Sequence, residues 1–135
     1  MAVSLILETA LRTTLADAIT TAIDYSTSSP LGNGTLRFKT AASPMATVAT
    51  INFSRPSFGA ASAGVITMAN APKSDTNAAG GTMAFFTINR KDNTPLMTGN
   101  VATSAATINF PAGVVVTAGD TVQLTSFTIT VPAGT

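Results

Sequence analysis

The side chains that could perform acid–base or nucleophilic chemistry are few and far apart in this sequence. Histidine and cysteine are absent, which removes the usual general base, the thiol nucleophile and any cysteine-based metal site. No two carboxylates are adjacent, so a catalytic carboxylate pair of the glycosidase type would have to be assembled by the fold. We therefore predict a protein that is not an enzyme, with no catalytic residue, no cofactor and no bound metal. The six carboxylates, three on a predicted helix and three in predicted turns, are Glu8, Asp17, Asp24, Asp75, Asp92 and Asp120.

Short matches to known binding motifs fail when their spacing is considered. In GAASAG at 59–64, the serine has the wrong offset for a nucleophile elbow. GNG at 32–34 precedes a predicted strand and does not form a phosphate loop. DNT at 92–94 lacks the further acidic positions of a calcium loop. We instead expect Asp75 and Asp120 to shape their turns by accepting hydrogen bonds from backbone amides.

Composition argues for a protein that is covered by another protein. Only 10% of the residues are charged, the net charge is +1, and the basic residues are scattered, so no nucleic-acid-binding stripe is expected. The chain contains 24 Thr and 23 Ala. A surface rich in Thr and Ala carries few strongly hydrated charges and therefore loses little when a partner covers it. A secreted or merely Thr-rich β protein is the simpler alternative.

The 135 residues fit a single domain, 1–135, that can bury a core without disulfides. The opening MAVSLILETAL has no basic region and is interrupted by Glu8, so it is a poor secretory signal. No stretch has the length of a transmembrane helix, and neither a membrane nor a small-molecule partner is expected.

A helix is predicted near the N-terminus, over residues 4–24 within an N-terminal segment 1–25, with Ser4 as its N-cap. It would end in the turn-forming segment 26–34. The favoured interpretation packs its apolar stripe on the sheet of the same domain, and the alternative docks it on a partner subunit. This stripe consists of Leu7, Leu11, Leu15, Ile19 and Ile23, together with Ala18 and Ala22.

From Gly34 onward the apolar period changes from that of a helix to two, which predicts strands. In 35–40, Leu36 and Phe38 face one way, while Arg37 and Lys39 face the other. Short strands separated by polar turns are typical of an antiparallel β-sandwich or barrel, here over residues 34–131. The predicted strands are 35–40, 49–53, 64–70, 82–90, 96–103, 105–110, 114–117 and 121–131.

The word ATINF occurs at 49–53 and again at 106–110, and its core TIN recurs at 87–89. The intervals between copies are 37 and 20 residues, so no repeat architecture is supported. We interpret the word as a half-buried strand, with Ile and Phe facing the core and Thr and Asn facing solvent or a neighbour.

In the last predicted strand, the apolar residues switch from even-numbered to odd-numbered positions. Val122 and Leu124 share one face, whereas Phe127, Ile129 and Val131 share the other. Placing both sets in the core requires an extra residue, and we predict a β-bulge near 125–126. Burial of both faces of the strand is the alternative.

Two turns contain residue types that are enriched at protein interfaces, namely arginine and aromatic residues. SRPSFG at 54–59 and RKD at 90–92 supply the candidate interface residues. In the simpler alternatives, the phenylalanine folds back onto the core and RKD is a solvated turn. The candidates are Arg55, Phe58, Arg90, Lys91 and Asp92.

Four segments, in this order, span nearly the whole chain and resemble small virion proteins of tailed bacteriophages. They are LRTTLADAITTAID, FSRPSFGAASAGVITMANA, FFTINRKDNTPLMTGNV and AGDTVQLTSFTITVPAG. Within that group the chain resembles capsid decoration (cement) proteins.

The resemblance implies a jelly-roll-like antiparallel β-sandwich of about eight strands, preceded by the helix. It also implies assembly in the host bacterial cytoplasm, a place on the exterior of the capsid, and self-association as a dimer or trimer. The implied partner is the major capsid protein, whose neighbouring subunits would be bridged. A tail or head-fibre protein is the nearest alternative, and a carbohydrate-binding sandwich module is an alternative of another class.

Overall fold

The protein is mainly β with one N-terminal helix, as the sequence predicts. A computed structural model describes residues 5–25, 33–41 and 43–134. These ranges form eleven strands, more than the expected eight or so. The elements are α1 (Thr9–Asp24), β1 (Thr35–Lys39), β2 (Thr47–Asn52), β3 (Val65–Thr67), β4 (Lys73–Asp75), β5 (Gly81–Thr82), β6 (Phe85–Asn89), β7 (Pro95–Ala102), β8 (Ile108–Asn109), β9 (Val115–Val116), β10 (Val122–Leu124) and β11 (Thr128–Thr130).

Helix α1 begins later than the sequence predicts. The backbone N–H of Leu7 donates to the carbonyl of Ala133 at 2.6 Å, which ties the segment before the helix to the C-terminal segment. This pairing keeps the chain extended up to Glu8, which occupies the N-cap position without a side-chain capping bond. The predicted start is therefore wrong, and Ser4 lies outside the described residues. The predicted end at Asp24 is confirmed.

The largest sheet has the strand order β2-β1-β6-β7-β8. Its neighbours pair antiparallel except β7 and β8, which pair in parallel, so the expected all-antiparallel pairing is wrong at this edge. The alternation predicted for β1 is confirmed. Leu36 and Phe38 are fully buried, while Arg37 and Lys39 alternate with them and are half-buried.

Two of the three TIN copies have the predicted orientation. In the first, Ile51 and Phe53 are buried and Asn52 is exposed. In the second, Ile108 is buried and Asn109 is exposed. The shared word therefore reflects a common structural requirement of half-buried strands.

The third copy departs from the prediction because its polar side chains are buried. Thr87 and Asn89 are only 9% and 6% exposed. The Thr87 hydroxyl donates to the Asn89 side-chain oxygen at 2.7 Å, and the Asn89 amide donates to the Asn93 carbonyl at 3.1 Å. Arg37 lies directly across from Thr87 and donates to the Asn93 side chain, so the Arg37 side chain also covers these polar groups. A central strand in this sheet thus buries both of its faces.

The parity change in 121–131 is accommodated by a break in the strand, and the predicted bulge is wrong. β10 pairs with β4, whereas β11 pairs with β3, so the two halves belong to different ladders. Val122 and Leu124 are buried from the first half, and Phe127 is buried in the linking segment. Both sets of apolar side chains reach the core as predicted, because the chain changes its partner strand between β10 and β11.

Strand β4 lies between the predicted strands 64–70 and 82–90, where the sequence predicts no strand. Its residues Lys73, Ser74 and Asp75 have no apolar alternation to signal a strand. The strand forms because β10 supplies its backbone partners and because Asp75 Oδ2 accepts the N–H of Thr50 at 2.8 Å. A third ladder joins β5 to β9.

The core joins the inner face of the large sheet to buried residues from the short ladders. Aromatic rings connect these elements, at centroid distances of 5.4 to 6.2 Å. The ring pairs are Phe53–Phe58, Phe58–Phe127, Phe86–Phe127 and Phe38–Phe110.

Candidate interaction surfaces

Each of the five aspartates accepts a hydrogen bond from a backbone N–H. The expectation for the turn residues is confirmed: Asp75 accepts from Asn77 at 2.9 Å, and Asp120 from Thr117 at 2.9 Å. Asp17, Asp24 and Asp92 do the same elsewhere, as described below. Within the described ranges, no three His, Cys, Asp or Glu side chains converge in a way that could hold a metal ion.

Phe58 is not exposed, so its assignment as an interface residue is wrong. Its side chain is 1% exposed and packs between the rings of Phe53 and Phe127. The alternative, in which the turn folds back onto the core, is the observed arrangement.

Arg55 and Arg90 come from distant turns and meet at the end of α1. Arg55 donates to the carbonyl of Asp24 at 2.8 Å, and Arg90 donates to the carbonyl of Ala22 at 3.2 Å. The carbonyls of the last helical turn lack intrahelical partners and form the negative end of the helix dipole, so two guanidinium groups stabilise this end. The Arg90 guanidinium also lies 5.0 Å from the ring centroid of Tyr25. The sequence identified these arginines but not their partner.

Lys91 and Asp92 belong to a tight turn that follows Arg90. The N–H of Asn93 donates to the Arg90 carbonyl, and Asp92 Oδ1 accepts the N–H of Thr94, both at 3.0 Å. Hydrogen bonds from the Thr94 side chain and backbone lower the pKa of Asp92 below its ordinary value. This arrangement fits the simpler alternative of a structured turn at the surface.

The polar face of α1 docks on the loop that follows β2. Asp24 accepts the N–H of Ser57 with both carboxylate oxygens at 3.1 Å, and Asp17 accepts the N–H of Ala61 at 2.8 Å. Thr13 accepts the N–H of Gly64 at 3.2 Å. The polar side of the helix therefore faces the protein.

The apolar stripe of α1 is consequently turned outward over much of its length. Only Ala16 and Ile23 are buried on this helix, whereas Leu11 and Leu15 are 48% and 39% exposed. The favoured interpretation, in which this stripe packs on the sheet of its own domain, is wrong for these two leucines. We call its outward-facing part the leucine–alanine stripe: Leu11, Leu15 and Ala18, which are exposed, and Ala22, which is half-buried.

A second exposed feature is an apolar cleft of about 460 Å³ between β7 and β11, which we call the edge cleft. Phe86, Ile88, Met97, Phe127 and Ile129 give it an apolar lining. Within the described residues, β7 has no partner along its first half on the side away from β6, because β8 pairs only with its last two residues.

On β7 and β11, the two strands that border the edge cleft, some backbone N–H and C=O groups point away from the ladder in which the strand is paired. Val101 donates its N–H toward β6, so by antiparallel alternation the N–H and C=O of Thr98 point to the open side. The carbonyl of Phe127 and the N–H of Val131 bond to the β3 side in the same way. The N–H and C=O groups of Thr128 and Thr130 therefore point to the open side. Thr98, Thr128 and Thr130 all line the edge cleft.

Sequence reasoning missed the edge cleft entirely. Residue alternation identifies a strand and its buried face, but it carries no information on which strands are neighbours. The cleft arises because β7 extends beyond β8 and because β11 pairs with β3 and not with β7.

No protein-family model, curated protein or solved structure matches this chain. In the part of the chain that the structure describes, no helix combines the length and hydropathy needed to span a membrane.

Proposed function

We propose that this protein is a structural virion protein, a capsid decoration (cement) protein of a tailed bacteriophage. It binds the shell of major capsid protein from outside and stabilises it by bridging neighbouring subunits. The resemblance of four ordered segments to such proteins supports this role, as does a surface with few charges to desolvate. We further infer that the short ladders and the large sheet are the two layers of a jelly-roll-like sandwich, an inference supported by the aromatic contacts that join them.

The observation that carries the proposal is the edge cleft, because its chemistry fits an extended segment of a shell subunit. An extended chain offers backbone N–H and C=O groups at every second residue, matching the free groups of Thr98, Thr128 and Thr130. Successive side chains of an extended chain point in opposite directions, so every second side chain can enter the apolar lining of the edge cleft. A helix or a small polar ligand would leave the free backbone groups of one or both edges unused.

The expected strength of this contact is moderate. Each new backbone hydrogen bond contributes about 1 kcal/mol, and each large apolar side chain buried in the cleft about 2 kcal/mol. Ordering the incoming segment offsets part of this gain. Engagement of two subunits at once raises the apparent affinity by about 10²–10⁴. Binding that is restricted to the assembled shell then stabilises that shell by mass action.

Co-sedimentation with shells that lack the protein tests the proposal. We expect the wild-type protein to sediment with them in saturable amounts. Ile129→Lys places a charge in the cleft lining at a half-buried position, and it should lower binding at least tenfold. Val115→Lys adds the same charge at an exposed site outside the cleft and should bind like the wild type.

Two outcomes would contradict the proposal. The wild-type protein fails to bind shells, or the Ile129→Lys and Val115→Lys variants bind equally well. Thermal unfolding of each variant establishes that it is folded under the binding conditions. The tail or head-fibre alternative is separated by copy number in purified particles, because a decoration protein is present in hundreds of copies and a tail protein in a handful.

A further inference from the structure

We propose that the leucine–alanine stripe of α1 is a self-association surface, on which the helices of two copies pair antiparallel about a two-fold axis. This contact is independent of the proposed binding to a shell, and either can hold without the other.

The stripe forms a continuous surface on the free side of the helix. At about 100° per residue, Leu11, Leu15, Ala18 and Ala22 lie within about 60° of one another around the helix axis. They lie roughly opposite the docked face, whose aspartates and threonine hold the loop after β2. The loop after β2 therefore does not cover the stripe.

One border of the stripe is formed by two uncharged residues, Thr14 and Thr21. Thr14 donates its hydroxyl to the carbonyl of Ala10 at 3.1 Å, and Thr21 donates to the carbonyl of Asp17 at 3.2 Å. Both hydroxyl hydrogens are thus satisfied within the helix. A partner helix that covers this face desolvates no ionised group of the stripe and few polar ones.

The spacing and the sizes of the side chains select a second copy of the same helix. The stripe residues are 4, 3 and 4 positions apart, which is the spacing of a coiled-coil seam. The two large residues occupy its first half and the two small ones its second half. A parallel pair would set leucine against leucine and alanine against alanine, which leaves a gap at the alanine end. An antiparallel pair sets Leu11 against Ala22 and Leu15 against Ala18 of the other copy, so large and small residues alternate along the whole contact.

The self-complementary order makes the contact closed and symmetric. The helix has 16 residues and is about 24 Å long, so it covers less area than a standard interface of about 800 Å² per partner. We therefore expect a dimer that dissociates on dilution, with a dissociation constant in the micromolar range or above.

Cysteine cross-linking tests the pairing directly, because the chain has no cysteine of its own. Mixing Leu11→Cys with Ala22→Cys under mild oxidation should give a disulfide-linked heterodimer. Neither variant should cross-link with itself, since two copies of position 11 lie about 16 Å apart in the antiparallel pair. Val115→Cys, exposed and outside the stripe, gives the background rate of random cross-linking.

Self-cross-linking of Leu11→Cys above that background would overturn the antiparallel arrangement. Equal background rates in all mixtures would overturn the surface itself. Sedimentation velocity gives an independent readout that does not depend on disulfide geometry. Leu15→Glu should shift the wild-type dimer toward monomer at equal concentration, while Val115→Glu should not. A wild-type protein that is monomeric up to its solubility limit would also overturn the proposal.

Discussion

Polar residues in this protein serve mainly to hold its backbone together. The five aspartates accept backbone N–H groups, and Arg55 and Arg90 donate to backbone carbonyls. Short elements expose many unpaired backbone groups, and buried or half-buried ones have to be satisfied by side chains. The five aspartates and these two arginines are therefore explained by the needs of the backbone.

Gly99 provides the sharpest test at the residue scale. A Cβ atom at this position would lie 2.3 and 2.4 Å from two carbon atoms of the Phe86 ring. That ring is held in the core against Phe127 and cannot move aside without disturbing it. Gly99→Ala should lower the free energy of unfolding by about 2 kcal/mol, measured by urea denaturation.

Gly59→Ala is the matched control for this substitution. The nearest atom to its added Cβ would be the carbonyl oxygen of Thr67 at 3.8 Å, an ordinary contact. We expect its unfolding free energy to stay within about 0.5 kcal/mol of the wild type. Equal effects of the two substitutions would show that the Phe86 ring is not fixed in place.

At the scale of elements, the sequence predicted what each strand buries better than where each element lies. Alternation in β1 was sufficient to orient Leu36 and Phe38, because a strand has only two faces. The helix has many possible orientations, and the hydrogen bonds that Asp17 and Asp24 accept from backbone N–H groups of the loop determine the observed one. Those partners are backbone amides, which every residue type except proline supplies, so residue identity gives no signal for them.

The docking of α1 can be tested at its C-terminal end. Asp24→Ala leaves the N–H of the fully buried Ser57 without an acceptor, and we expect it to lower the unfolding free energy by about 1–3 kcal/mol. Asp24→Asn keeps one acceptor oxygen and should cost less. Thermal and urea unfolding of the two variants measure the difference. A smaller loss for alanine than for asparagine would contradict the assigned role of the carboxylate.

At the scale of the whole molecule, the described residues present two exposed apolar surfaces. Sequence reasoning missed the edge cleft and gave docking of the helix stripe on a partner subunit only as an alternative. The edge cleft is defined by strand neighbours that are distant in sequence. The leucine–alanine stripe was recognised as apolar but was assigned mainly to the core. A protein that bridges subunits needs at least two contacts, and these two surfaces suit different partners: an extended chain and a second helix.

If both surfaces act as proposed, a substitution in the edge cleft and a substitution in the leucine–alanine stripe should affect shell binding in different ways. Ile129→Lys weakens the contact with the shell but leaves the dimer, so it should lower binding to shells at least tenfold while retaining self-association. Leu15→Glu leaves each cleft intact but separates the two copies. It should still bind shells, with an apparent affinity lower by about 10²–10⁴ and a faster dissociation, because the second contact is no longer held close to the first.

Binding isotherms and dissociation rates on purified shells measure this difference, with Val115→Glu as the charge-matched control for Leu15→Glu. The lost affinity should reside in the dissociation rate, because a dimer leaves the shell only when both of its clefts release at once. Equal dissociation rates for Leu15→Glu and the wild type would mean that each copy binds alone. Bridging of neighbouring subunits would then have to arise within one copy, from surfaces other than the helix.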